Sequence, residues 1–168
     1  MRQVEIPYEE LEQEFIKELA NLGSEDLGAE RGVLATSKDD HVTARRMRLM
    51  LDGLNMYGWT DSNSRKVEQI RANPKVAVVV EYMQIDGIAS VKGHPTEEPE
   101  FLELLRKKLP HRYDNLVKRW RTISERAVIE ITPKRIALLK YADAEARIGG
   151  GLYVLNVDAR KAYRFSSP

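Results

Sequence analysis

Three arginines, Arg45, Arg46 and Arg48, crowd one short stretch, and a second basic pair, Arg65-Lys66, follows Ser64 a little further along. These residue types hold phosphate groups when the fold brings them together. The first trio reads as strand, where alternate side chains share a face, so Arg46 and Arg48 point one way and Arg45 the other. Ser64, Arg65 and Lys66 fall at a predicted helix start, where unpaired amides and the positive end of the dipole already favour an anion such as a phosphate monoester. A phosphate oxygen about 4 Å from one cation gains on the order of 4 kcal/mol at an effective dielectric of about 20, before desolvation. The same cations could instead be solvated, or neutralised by a cross-strand partner such as Glu81, and spacing alone leaves both readings open.

Other chemistry is sparse. His41, His94 and His111 fall in a turn, beside Pro95 and beside Pro110, with no pair at metal-binding spacing, so surface roles and no metal are expected. The lack of cysteine removes disulfides, thiol nucleophiles and Cys-ligated zinc or iron–sulfur sites. There is no G-x-S-x-G, G-x-G-x-x-G or Walker pattern, and Gly149-Gly150-Gly151 has no helix signal after it. Tyr57-Gly58-Trp59 could border a ring system or pack in a core. Lys plus Arg number 27 against 26 Asp plus Glu, for a formal charge of +1. No bulk field therefore favours nucleic acid or an anionic membrane, and any anion site must be local. No apolar run is long enough to span a bilayer and the first residues are charged and amphipathic, so a cytoplasmic location is expected.

The elements that must position these residues follow from periodicity. Leu11, Phe15, Leu19 and Leu22 recur at helical spacing after Pro7 and predict a helix over 8–22, stopped by Gly23 and Ser24. Runs rich in Val, Thr, Met and Tyr, separated by Lys38-Asp39-Asp40 and Leu51-Asp52-Gly53, predict hairpin strands near 31–37, 42–50 and 54–60. Candidate caps from Asp61 to Ser64, and Pro74 beyond, bound a helix near 65–72. Val76 to Val80 and Ile88 to Gly93 predict two strands with a reversal over Met83 to Gly87. Phe101, Leu104, Leu105 and Leu109 form a helical stripe within 97–120, broken at Pro110. Ala127 to Thr132 and Arg135 to Tyr141 predict strands flanking a Pro133-Lys134 turn, and Leu152 to Val157 an extra edge strand. The expected fold is mostly β with peripheral helices, a six- to seven-stranded antiparallel split β-barrel. The 168 residues suit a single domain: 1–29 as helix and linker, 30–141 as barrel with the helical insertion 97–120, and 142–168 as an extension.

Taken in order, Gly32 to Ser37, the arginine strand, Met56 to Asp61, Ser64-Arg65-Lys66 through Pro74, Val76 to Val80, Val91 to Gly93 and Thr132-Pro133 resemble the pyridoxamine 5'-phosphate oxidase-like FMN-binding split barrels over roughly 30–141. The resemblance implies noncovalent FMN whose phosphate is held by Ser64, Arg65, Lys66 and Arg46. Met47 and Arg48 would line the same site, and Trp59, in place of the usual tyrosine, would lie with Thr60 beside the flavin. It also implies a homodimer with each flavin in a cleft between subunits.

Departures from the pattern point to a branch. The lysine of the pyridoxine-phosphate oxidases' R-x-V-L-L-K strand corresponds to Leu51 and a fifth-strand glutamine to Ile88. Their tryptophan and R-L-H-x-R ending is replaced by Leu138 to Tyr141 and then Ala142 to Ile148. Pyridoxine-phosphate oxidase activity is therefore not expected, and the chain resembles the general-stress-protein-like branch. The expected function is FMN-dependent redox chemistry on an unidentified small molecule, with no side chain nominated as acid or base. The alternatives are an F420-dependent reductase of the same fold, or a flavin- or haem-binding protein without turnover, for which His94 or His111 would be the axial ligand. The open flavin face would be lined by 83–88 and 142–156, which carry no chemical motif.

Overall fold

Period-two alternation governs most of the chain. In β6 (Met83–Val91), for example, Met83, Ile85, Gly87 and Ala89 are buried while the residues between them are more exposed. The computed structural model describes residues 2–21, 30–140 and 150–166. These form β1 (Arg2–Ile6), α1 (Tyr8–Asn21), β2 (Glu30–Lys38), β3 (His41–Asp52), β4 (Asn55–Thr60), α2 (Arg65–Ala72), β5 (Lys75–Val80), β6, α3 (Pro99–Lys108), α4 (Pro110–Trp120), β7 (Ala127–Lys140), β8 (Gly151–Asn156) and β9 (Lys161–Ser166). The strands make one antiparallel sheet of order β1-β9-β8-β7-β4-β3-β2-β5-β6, and β6 folds back to pair with β7.

The expected six- to seven-stranded split barrel is corrected by this topology. Nine strands share the sheet among the described residues, and the ring made by the return of β6 is not a closed barrel. β2 meets β5 only over Val33–Ala35 and β3 meets β4 only over Met50–Asp52, while β8, β9 and β1 run off from β7 as an open limb. Leu152 to Val157, expected at an edge, therefore supplies an inner strand. The expected Pro133-Lys134 turn is instead a β-bulge within one continuous strand. Asp86 pairs with Arg135 and Gly87 with Pro133, which leaves Lys134 as the extra residue. On the other edge of β7, β4 pairs up to Ile131 and β8 takes over from Arg135, so no ladder bond is asked of the proline nitrogen. The reversal expected over Met83 to Gly87 is likewise strand. The turn lies at Glu81-Tyr82, with Glu81 at φ +49. Leu22 to Ser24, Tyr141 to Ile148 and Gly149 lie outside the described residues.

Two apolar clusters divide at β4. Met56 faces the main one, with Phe15 and Leu19 of α1, Leu34, Leu49, Val67, Ile70, Val78, Ile85, Ile131 and Ile136. Tyr57 and Trp59 face the other way, toward Phe101, Leu105 and Trp120 of α3 and α4, with Met50 and Val128. Beside this second cluster, Glu130 of β7 accepts a hydrogen bond from Tyr57 (3.0 Å) and pairs with Lys92 (2.8 Å). The contact with Glu130 and burial push the Tyr57 phenol up to about 12, burial being the larger cause.

The bulge demands a residue without a side chain at Gly87. A Cβ there would lie 2.9 Å from the Thr132 carbonyl oxygen and 3.1 Å from Ile131 Cγ2. Backbone cannot swing aside, so Gly87→Ala is expected to destabilise the fold by about 1–3 kcal/mol, read as a lower urea midpoint. An unchanged midpoint would show that β6 and β7 are not packed this closely.

Candidate functional site

α2 is short and anchored on one face. Val67 and Ile70 enter the main apolar cluster, and Asn73 at its C-terminal end donates to the Ser37 hydroxyl at 2.9 Å. At the other end Ser64 has the extended backbone of an N-cap, φ −72 and ψ 152, yet its side chain makes no capping bond. The Ser64 Oγ is sealed from solvent and has no hydrogen-bond partner among the described residues. A buried hydroxyl left unsatisfied costs about 1–3 kcal/mol, which an acceptor arriving at this helix N-terminus would recover.

Cations surround that hydroxyl's helix end. Lys66 is half-buried and its Nζ donates to Thr60 Oγ1 at 2.7 Å. Burial pushes its pKa down, the charge of Arg45 adds to this, and Asp61 opposes it more weakly. Arg45 is also pushed down, by burial first and then by the charge of Arg65. Lys38, Lys92, Lys134, Arg135, Lys140 and Arg160 each have a carboxylate partner. Among the described residues Arg45, Arg65 and Lys66 have none. Arg45, Arg65 and Lys66 are thus near enough to feel one another's charge, with Asp61 and Glu68 nearby but none of the three in a salt bridge.

The arginine that joins them is Arg45. Arg46 and Arg48 are exposed on the opposite face of β3, in register with Val33 and Arg31 of β2, so the structure does not bring them to the α2 terminus. Met47 shares the face of Arg45 but is buried in the main cluster. Trp59 packs edge-on to Phe101 and Trp120, with centroids at 6.2 and 5.4 Å, on the side of β4 away from Thr60 and Lys66. Arg65 is exposed at the first turn of α2. A partial signal for Arg45 was present in the sequence, because Met47, Leu49 and Leu51 share its parity, against Val42 and Met50 on the other. Gln69, Thr36 and Thr43, which hold Arg45, carried no signal of their own.

Other candidates are committed elsewhere. His94 has Nδ1 at 2.7 Å from Thr96 Oγ1 and Nε2 at 2.9 Å from the Ile123 carbonyl, so neither nitrogen is open to an iron atom. Among the described residues no group of His, Asp and Glu is arranged to hold a metal ion, and no helix is long and apolar enough to cross a membrane. Leu51 packs against the main apolar cluster.

A mostly-β protein with a cluster of cations at the head of the helix after its fourth strand is the class that fold and site define. The chain belongs to the pyridoxamine 5'-phosphate oxidase family, whose model matches residues 24–140. It is similar to the putative pyridoxamine 5'-phosphate oxidase of Listeria innocua, at 26% identity over 75% of this chain and 95% of that one, with a TM-score of 0.54. It is also similar to General Stress Protein 26 of Bacillus anthracis, at 25% identity over 73% and 91% of the two chains, with a TM-score of 0.52. A pyridoxamine 5'-phosphate oxidase-related, FMN binding protein from Nostoc punctiforme shares the fold over 97% and 98% of the chains, at 11% identity and a TM-score of 0.62. No curated protein matches the chain. The family match and the two nearer structures place it in the general-stress-protein-like branch of the split-barrel flavoproteins.

The depressed Lys66 sets a pH dependence whose sign can be worked out. A dianion beside Lys66 favours its charged form, so binding raises its pKa and takes up a proton wherever pH lies between the free and bound values. Affinity for inorganic phosphate should therefore fall as pH rises toward the ordinary lysine range of about 10, measured as the phosphate-dependent gain in melting temperature. Lys66→Arg should flatten the profile. A flat wild-type profile would place Lys66 away from the anion.

Proposed function

We propose that the chain binds FMN noncovalently and acts as a flavin-dependent oxidoreductase on a small molecule. The observation that carries this reading is the sealed, unpartnered Ser64 hydroxyl at the α2 terminus, with Lys66, Arg65 and Arg45 around it. Those residues fit a phosphate monoester. Ser64 would donate its proton to a phosphate oxygen, the amides of the first turn would add theirs, and Lys66 would keep its charge by exchanging burial for an anionic partner. Bound FMN would supply the electron or hydride transfer at its ring. The protein's part is to hold the phosphate end rigidly, with Thr60 and Lys66 joined across β4 and α2. Leu51 offers no charge where the family's substrate-binding oxidases have lysine, which supports a substrate other than pyridoxine phosphate.

The family resemblance also supports a homodimer. Val33 and Val79 are register partners on the outer face of β2 and β5, and each is an exposed apolar residue at 38% and 44%. Arg46 lies next to Val33 on that face, where it and Arg48 would reach a ligand only across a subunit boundary. A partner seated there would cover the valines and bring both arginines near a flavin.

Purified protein should release FMN on denaturation, identified by mass and absorbance. Release of a deazaflavin such as F420, or a haem spectrum, would replace the cofactor assignment. Ser64→Ala and Lys66→Ala should each weaken FMN by about 10- to 100-fold while leaving riboflavin nearly unchanged. Equal loss for both ligands would reject the phosphate site. Separately, Val79→Glu should convert a dimer to a monomer by sedimentation, and a dimer that survives it would move the interface elsewhere.

A further inference from the structure

Arg45 is held almost entirely by neutral oxygen. Its Nη1 donates to the Leu34 carbonyl at 3.2 Å and to Thr36 Oγ1 at 2.6 Å. Its Nη2 donates to Thr43 Oγ1 and, at 3.3 Å, to Gln69 Oε1. Those bonds use the four Nη hydrogens, so the guanidinium has only its Nε–H and its charge left to offer. Both threonine hydroxyls pass their own protons to the same acceptor, Gln69 Oε1, at 2.6 and 2.7 Å. Gln69 Nε2 donates to the His41 carbonyl at 3.2 Å, which fixes which way the amide faces. Gln69 is 3% exposed and Thr36 2%, so the arrangement is buried between α2 and the β2–β3 hairpin. A glutamate in that place could accept the same three donors, and it would cancel the arginine's charge.

The geometry points to Gln69 as a positioning residue: with Thr36 and Thr43 it forms a neutral cradle that keeps Arg45 as an uncancelled positive charge behind the anion site, and so sets the preference for a phosphorylated flavin over the same flavin without phosphate. This rests on the FMN reading above. The charges around this region are Arg45 from β3 and Arg65 and Lys66 from α2, and, of opposite sign, Asp61 from the loop before it and Glu68 of α2, whose carboxylate is paired with Lys38. A carboxylate at position 69 would add a negative charge on the buried side. It would both compete with the dianion and relieve the repulsion on Lys66.

The test is the ratio of riboflavin to FMN dissociation constants, measured by flavin fluorescence quenching with the full chain. Gln69→Glu should lower that ratio about tenfold, change riboflavin affinity by less than about twofold, and move the alkaline loss of FMN affinity to higher pH. Thr43→Val should lower the ratio too, and Thr43→Ser, which keeps the hydroxyl, should restore it. Arg45→Ala should lower it more than Arg46→Ala. If Gln69→Glu weakens both flavins alike, or Thr43→Ser behaves as Thr43→Val, Gln69 and Thr43 are merely structural and the proposal is overturned. Should Gln69→Glu fail to fold, the two Thr43 variants decide the matter. A wild type with no preference for FMN overturns the phosphate reading itself. A wild-type preference lost in Lys66→Ala but kept in the Gln69 and Thr43 variants overturns the cradle alone.

Discussion

A guanidinium surrounded by uncharged oxygens underlies the site. Buried charges are ordinarily matched by an opposite charge, because desolvation is costly and a partner offsets part of it. Arg45 obtains its hydrogen bonds from a carbonyl, two hydroxyls and an amide instead, so its field is not spent locally. The same bonds cross from β3 to β2 and to α2, and thereby fix the roll of α2. Ser64 and Lys66 ride on that helix, which Gln69 ties to β2 and β3 by hydrogen bonds while Val67 and Ile70 pack into the core.

β4 acts as a partition. One face carries Met56 and Thr60 toward the main cluster and Lys66, while the other carries Tyr57 and Trp59 toward α3 and α4. The helical insertion therefore covers the aromatic face of this strand. Trp59, held edge-on by Phe101 and Trp120, reports on packing between sheet and helices. The polar business of β4 falls to Thr60, one residue further along and on the opposite side.

Local signals were legible in the sequence where they act locally. The serine cap and Pro74 bracket α2, whose observed span Arg65–Ala72 is the expected 65–72, and Pro110 separates α3 from α4 at the expected break. Failures came where a local signal was overruled by a distant partner. Pro133-Lys134 has the chemistry of a turn, yet it continues as strand because β4 and β8 change over opposite it and Gly87 admits the bulge. Alternation separated Arg45 from Arg46 and Arg48, but which face looks toward α2 depends on strand pairing. Gln69 was invisible for the same reason, since its partners lie on two other strands. β1 and β9 were missed because neither Arg2–Ile6 nor Lys161–Ser166 shows a clean apolar face, β1 being largely exposed.

The change of partners along β7 divides the sheet into two parts. The family match ends at residue 140, the last residue of β7, and the segments it omits at either end are those that fold onto each other as β1, β9, β8 and α1. The strands of that limb are fastened through the second half of β7, beyond the bulge, while α1 lays Phe15 and Leu19 into the main cluster. The pairing of β4 with Ala127–Ile131 lies wholly before the bulge and shares no residue of β7 with β8. The half of β7 that carries β4, and through Thr60 reaches Lys66, is thus built without any strand of that limb.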